Sequence, residues 1–286
     1  MSTILVTGGN AGIGRACCKL LASTHGAKVI MGSRSVEKGN AALASIIEEA
    51  PETKGMISVV QLDVQDAASV AAAAESIKAS LGGEPLFAIV NNAGAGLAHG
   101  VDTGPILDTN LYGVKRVCDA MVPLLGPERS RIVNVGSGIG PGWMERAPEP
   151  IKTTLCSPTV KWEQIDEIVK ANLASGGEGD NAARGPAMNA YGLSKATLMA
   201  YTTVLVQAYP HILTSTISPG FIDTAMTKGF GAKLTPEQGT VSIRHCLFNE
   251  LAGNGWMYGS DGKRSPVDAS REPGQPEYTD PTGRGW

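Results

Sequence analysis

A doubly wound α/β fold on a parallel sheet is predicted by three observations. Short β-branched runs alternate with longer alanine-rich stretches of helical period through most of the 286 residues. The runs are apolar throughout, as in strands buried on both faces, whereas half-wet strands alternate apolar and polar. No linker or internal repeat divides the chain, so one domain over residues 1–286 is expected, with right-handed strand–helix–strand crossovers.

In order, β-branched runs place strands at Thr3–Val6, Lys28–Met31, Ile57–Leu62, Phe87–Val90, Arg131–Val135 and Ile212–Ile217. Trp256-Met257-Tyr258 is a weaker seventh. Helices are expected over Gly12–Thr24, Val36–Glu49, Ala67–Leu81, Pro105–Leu125 and Ala190–Tyr209, with another near Pro236–Leu251. The run Ala71–Ala74 is one turn of an alanine-rich helix, not low complexity. Two stretches break the rhythm. Residues 139–187 are rich in proline and glycine, with one plausible helix around Val160–Leu173, and so long a segment inside a compact domain is usually functional. The tail from Gly262 to Trp286 is rich in proline, glycine and charge and reads as irregular or flexible.

Composition narrows the function. With 24 Lys+Arg against 27 Asp+Glu there is no excess of positive charge for nucleic-acid phosphates. No apolar run is long enough to span a bilayer, and with no basic n-region or apolar h-region at the start no secretory leader is expected. The five cysteines (Cys17, Cys18, Cys118, Cys156 and Cys246) show no C-x-x-C and sit mostly in apolar helical patterns. Reduced thiols in a cytoplasmic protein are expected, with no disulfide frame and no metal site. His99 and His211 have no ligand or base partner in sequence and are read as structural or solvated.

The 36 glycines concentrate where chemistry is expected. Thr7-Gly8-Gly9-Asn10-Ala11-Gly12-Ile13-Gly14 follows the first strand and opens the first helix. Glycines there allow a tight turn, close approach of backbone to a pyrophosphate, and close helix–strand packing. Free N–H groups and the positive end of the helix dipole hold the anion. The second strand ends in Ser33-Arg34, without the acid that would bond a ribose 2′-hydroxyl and repel a 2′-phosphate. Arginine at a strand end is commonly just solvated. One strand from a phosphate loop, Arg34 is read as pairing a 2′-phosphate, with Ser33 hydrogen bonding and Lys38 a second basic contact. Asp63-Val64 follows the third strand, where Asp63 by itself reads as a helix N-cap.

Tyr191 and Lys195 stand at i and i+4 on one helix face. A phenol of ordinary pKa near 10 is a weak catalyst alone. A neighbouring ammonium favours the phenolate and suits it to acid–base work near neutral pH. Ser137 lies just past the fifth strand, where ligand sites of wound sheets collect, and Asn110 sits within a helix that gains little from asparagine.

In these motifs the chain resembles the short-chain dehydrogenase/reductase family: the T-G-x-x-x-G-x-G turn, Asp63-Val64, Asn91-Asn92-Ala93-Gly94, Asn110, Ser137 with Tyr191 and Lys195, and Ser218-Pro219-Gly220 with Thr224. The resemblance spans residues 3 to about 260 and implies a single-domain Rossmann-like fold of about seven strands with helices on both faces. It implies that Gly8, Asn10, Gly12, Ile13, Gly14, Ser33, Arg34, Asp63, Val64, Asn91, Ala93, Gly94, Pro219, Gly220, Ile222 and Thr224, with Tyr191 and Lys195, bind the nicotinamide cofactor. It further implies that Tyr191 donates the proton, Ser137 orients the substrate oxygen, Lys195 lowers the phenol pKa and grips ribose, and Asn110 sustains a water relay.

From Ser137 to Tyr191 the chain runs 54 residues. That is about 40 more than most of the family carries, and it resembles the carbonyl-reductase branch, as does Thr235-Pro236-Glu237-Gln238-Gly239. The branch implies a monomer that reduces ketones, aldehydes or quinones with NADPH. Trp143, Met144, Met188, Phe221, Met226 and Phe230 fall on loops expected beside the nicotinamide and are read as an apolar substrate wall; for any one of them, local packing is as good a reading. Two rival readings stay open: alcohol oxidation with NADP, and a nucleotide-sensing protein without turnover.

Overall fold

The computed structural model describes residues 2–96, 103–175, 181 and 183–280. Its centre is one sheet in the order β3-β2-β1-β4-β5-β6-β7-β8. The strands are β1 Thr3–Thr7, β2 Lys28–Ser33, β3 Ile57–Gln61, β4 Ala88–Asn91, β5 Arg131–Val135, β6 Leu213–Ile217, β7 Met257–Tyr258 and β8 Arg264–Ser265. All neighbours are parallel except β8, which runs against β7. The expectation of about seven strands falls one short, because the two-residue β8 leaves no periodicity to read. The order reverses between β1 and β4, and ligands of wound sheets bind at the carboxyl ends of the strands flanking such a reversal.

The strands alternate their side chains between two cores. Leu5, Ile30, Ile89 and Ile132 face one, and Ile4, Val6, Val29, Met31, Val90 and Val133 the other. Helices α1 (Gly12–His25) and α2 (Val36–Glu49) cover the second face. Helix α3 (Ala67–Leu81), which begins at the Asp66 N-cap, covers the first. The helix expected over Pro105–Leu125 is interrupted: α4 (Thr103–Leu107) passes into a π-helical turn at Asp108–Tyr112 before α5 (Gly113–Met121) resumes. Such turns cluster at functional sites, and this one carries Asn110.

The 139–187 segment is more helical than its prolines and glycines suggest. It holds α6 (Ile139–Glu145), α7 (Glu149–Leu155) and α8 (Trp162–Ser175) before α9 (Pro186–Ala208). Trp162 of α8 is wedged edge-on between Tyr112 and Tyr201, and Tyr112 donates to Asp166 at 2.7 Å, which seals α8 over α5 and α9. The last helix, α10 (Val241–Phe248), is shorter than expected, because a 3₁₀ turn at Gln238–Thr240 precedes it.

Over the described residues to 280, the tail holds only the two-residue β8 and is otherwise without regular secondary structure. Arg271, its side chain 5% exposed, donates to both Asp261 oxygens at 3.0 and 2.7 Å and to the carbonyls of Gln275 and Pro276. This buried fork, with the Arg264–Glu277 ion pair and Tyr278 against Trp256, ties down a stretch that has little apolar content of its own. No helix among the described residues is long and apolar enough to cross a membrane.

Candidate active site

The phosphate turn forms as its glycines require. Gly8 and Gly12 have φ of +63° and +50°, a region most side chains avoid. A Cβ on Gly14 would collide with the Gly8 carbonyl and the Asn92 side-chain amide. Asn92 straps this turn to β4: its Nδ2 donates to the carbonyls of Thr7 and Gly8 at 2.9 and 3.3 Å, and Thr7 Oγ1 accepts from the N–H groups of Asn92 and Ala93 at 3.0 Å. In the sequence Asn92 is only one of two adjacent asparagines at a strand end, and nothing there marks its strapping role.

Across the turn lies the 218–227 loop, where a Cβ on Gly12 would stand 3.1 Å from Thr224 Cγ2. Ile13 and Ile222 converge on Gly239, and Gly220 (φ +93°) packs on Leu234 and Ser260. Two halves of the expected cofactor set thus face each other. A cradle that any added Cβ would fill, opening at a helix N-terminus, fits a dinucleotide pyrophosphate.

The other cofactor residues sort by direction. Ser33 is buried and donates to the Ser35 carbonyl at 2.7 Å, whereas Arg34 and Lys38 are exposed. Asp63 is not an N-cap: its Oδ1 accepts from Gln65 N–H, which fixes the turn before Asp66 takes the capping role. Val64 packs on Gly113, and its carbonyl accepts from Arg116 at 3.2 Å. The Asn91 side chain turns inward, donating to Asn134 Oδ1 at 2.8 Å across the sheet, while Ala93 and Gly94 line the strand end.

Helix α9 brings the reactive groups together. Its Tyr191 reaches Ser137, whose hydroxyl contact pulls the phenol pKa down against burial, and burial is the larger effect and pushes it up. Lys195 Nζ lies 5.7 Å from the centre of the Tyr191 ring and donates to the Val135 carbonyl at 2.9 Å. Burial lowers the Lys195 pKa to about 8. Asn110 uses its amide fully: Oδ1 accepts from Ala95 N–H at 2.8 Å, and Nδ2 donates to the Ala95 carbonyl at 2.8 Å and to Ser194 Oγ at 3.0 Å. It thereby clamps residues 95–96 against Tyr191, where Gly96 (φ +134°) abuts the ring so closely that no Cβ fits.

Of the expected substrate wall, Met188 and Met226 are half-buried, and Phe221 and Phe230 are 47% and 40% exposed. Met226 Cε reaches to 3.6 Å of where a Gly94 Cβ would stand. Trp143 does not belong to this wall. It is buried at 2% exposure and donates to Asn189 at 2.9 Å, and Met144 is fully buried, because α6 turns both toward the helix pack. His211 is exposed, and His99 lies outside the described residues.

A Gly-cradled anion turn facing a phenol, an ammonium and a hydroxyl is the equipment of an oxidoreductase that works on alcohol or carbonyl groups with a nicotinamide cofactor. The chain belongs to the short chain dehydrogenase family, whose model matches residues 2–147. It is 34% identical to a (+)-neomenthol dehydrogenase of Arabidopsis thaliana, over 85% of this chain and 90% of the relative. To carbonyl reductase [NADPH] 1 of Homo sapiens it is 27% identical, over 82% of this chain and 86% of that one. Among solved structures, salutaridine reductase from Papaver somniferum superposes with a TM-score of 0.76 at 28% identity, covering 90% of this chain and 99% of that one.

Proposed function

We propose that the protein is an NADPH-dependent carbonyl reductase acting on an apolar ketone, aldehyde or quinone, as a cytoplasmic monomer. The observation that carries this reading is the meeting of Tyr191, Ser137 and Lys195 at the carboxyl end of β5, beside the cradle of β1 and α1. NADPH bound in that cradle supplies the hydride. Tyr191 gives its phenol proton to the substrate oxygen, which Ser137 holds. Lys195 favours the resulting phenolate with its charge, and the Val135 carbonyl keeps its ammonium in place. Asn110 keeps Ala95 and Gly96 against the ring, so the phenol meets the substrate from a fixed direction. Exposed Phe221 and Phe230, with Met188 and Met226, offer an apolar substrate a surface to desolvate.

The exposed Arg34 at the end of β2, with no acid beside it, supports a 2′-phosphate, as does the NADPH in the name of the human relative. The seal of α8 over α5 and α9 supports the monomer by covering that face. The neomenthol dehydrogenase name of one relative keeps the oxidative direction as a second reading.

The test is coenzyme consumption with NADPH and NADH over a panel of quinones, diketones and aryl aldehydes. The parent is expected to prefer NADPH, Arg34→Ala to lose that preference by about tenfold or more, and Tyr191→Phe to lose at least about 100-fold in kcat. A Tyr191→Phe protein as active as the parent overturns the reading.

A further inference from the structure

Trp143, buried away from the cleft, brackets Tyr191 from behind. Its Nε1–H donates to Asn189 Oδ1 at 2.9 Å, two residues before the phenol. Its ring lies against Gly192, one residue after, where a Cβ would stand 2.7 Å from Trp143 Cδ1. Asn189 is itself pinned, because its Nδ2 donates to Asn172 Oδ1 at 2.8 Å, so its oxygen stays turned to the indole. The Trp143 carbonyl accepts from Asn181 Nδ2 at 3.0 Å, which holds the tryptophan from the other side.

The same short helix is tied to Ser137. Ser137 Oγ accepts from Ile139 N–H at 3.2 Å, and its carbonyl accepts from Gly140 N–H at 3.0 Å, so Ser137 moves with the first turn of α6. Gly140 packs on the Lys195 backbone, where a Cβ would stand 3.0 Å from the carbonyl carbon. The two side chains that must share one substrate oxygen are 54 residues apart in the chain, and α6 is the piece that joins them.

We propose that Trp143 is a positioning residue that sets the distance between the Tyr191 phenol and the Ser137 hydroxyl by locking α6 to the Asn189–Gly192 turn of α9. The inference rests on the acid–base reading above. Trp143 touches no substrate, and it acts through the geometry of two groups that do. A displacement of about 1 Å between such groups can cost on the order of 100-fold in rate.

Trp143→Phe keeps an aromatic ring but leaves Asn189 Oδ1 without its donor. Gly192→Ala keeps the donor and pushes the ring away. Each variant is compared with the parent in kcat, KM, the pH profile of kcat, NADPH affinity followed by coenzyme fluorescence, and Tyr191 ionisation, taken as the tyrosinate absorbance lost in Tyr191→Phe. Both are expected to lower kcat by about tenfold or more, leave NADPH affinity within about twofold, and move the pH profile and the Tyr191 ionisation together. Unchanged kcat and pH profile in both variants overturns the inference, as does a kcat loss that merely tracks the loss of folded protein. An inactive Tyr191→Phe beside unchanged Trp143 and Gly192 variants overturns the positioning role alone. A fully active Tyr191→Phe overturns the acid–base reading and this inference with it.

Discussion

Lys195 carries a cost that the rest of the molecule absorbs. Its side chain is 5% exposed, and burial brings its pKa from 10.5 to about 8. Below pH 8 the ammonium is present in both folded and unfolded chains, and the folded state bears the full desolvation penalty. Between pH 8 and 10.5 the unfolded chain holds the proton more tightly, so this group's contribution to stability rises with pH. Replacing it with an apolar side chain of similar length removes the penalty. Lys195→Met is expected to be more stable than the parent by about 2–3 kcal/mol at pH 7, allowing for the lost bond to Val135, with the gap closing toward pH 10.5. Urea unfolding across that range is the check, and a gap independent of pH would mean that the charge is not what the site strains against. Gly96 makes the opposite kind of demand at the same site. With φ of +134° and the Tyr191 ring against it, Gly96→Ala is expected to cut kcat while leaving NADPH affinity near the parent value, measured by steady-state kinetics and coenzyme titration.

At the scale of elements, the β1–α1 turn is the tightest junction. Gly14 of α1 meets the Gly8 carbonyl and the Asn92 amide with no room for a methyl group. Gly14→Ala is expected to destabilise the fold by about 1–3 kcal/mol and to abolish coenzyme retention, read from thermal melts with and without NADPH. This junction was legible in advance because glycine spacing between a strand and a helix has few other uses, and the buried strands were legible because their apolar runs are continuous. The elements that escaped prediction share a cause, which is that their reasons are tertiary. Glycines 140 and 142 of α6 look like loop residues, yet Gly140 is the contact surface that lets α6 approach Lys195. The π turn at Asp108–Tyr112 inserts Asn110 between Ala95 and Ser194 for reasons that no helix propensity records. Trp143 beside a predicted pocket reads as a pocket residue until the face of α6 is known. The four residues proposed for catalysis were readable because their side chains fit chemistry better than packing.

For the whole molecule, the tie between the tail and β7 is the feature to test. The Arg271 guanidinium holds Asp261 well below the usual carboxylate range, at about 2, and packs beside Gly259 at the end of β7. Asp261 contributes stability above its unfolded pKa and loses it as pH falls toward 2. Arg271→Ala strands that carboxylate and is expected to lower stability by about 2–3 kcal/mol at pH 7, with a melting temperature several degrees lower and little change in chemistry. Light scattering of the parent across a concentration series tests the proposed monomer, for which a constant mass is expected.

The strand order also gives the sheet two unlike ends. On one side the last rung is β8, two residues long and reversed, with Tyr278 N–H donating to the Arg264 carbonyl at 3.1 Å. A neighbouring chain finds almost no ladder there to extend. On the other side β3 offers five residues that, among the described residues, pair on β2 alone, with Val59 and Val60 only half covered. Unpaired edge strands template strand addition, so self-association under stress is expected to begin at β3, and charged substitutions at Val59 and Val60 to slow it in heated light scattering. The turn after β7 thus leaves one border of the sheet, not two, where strand addition is expected.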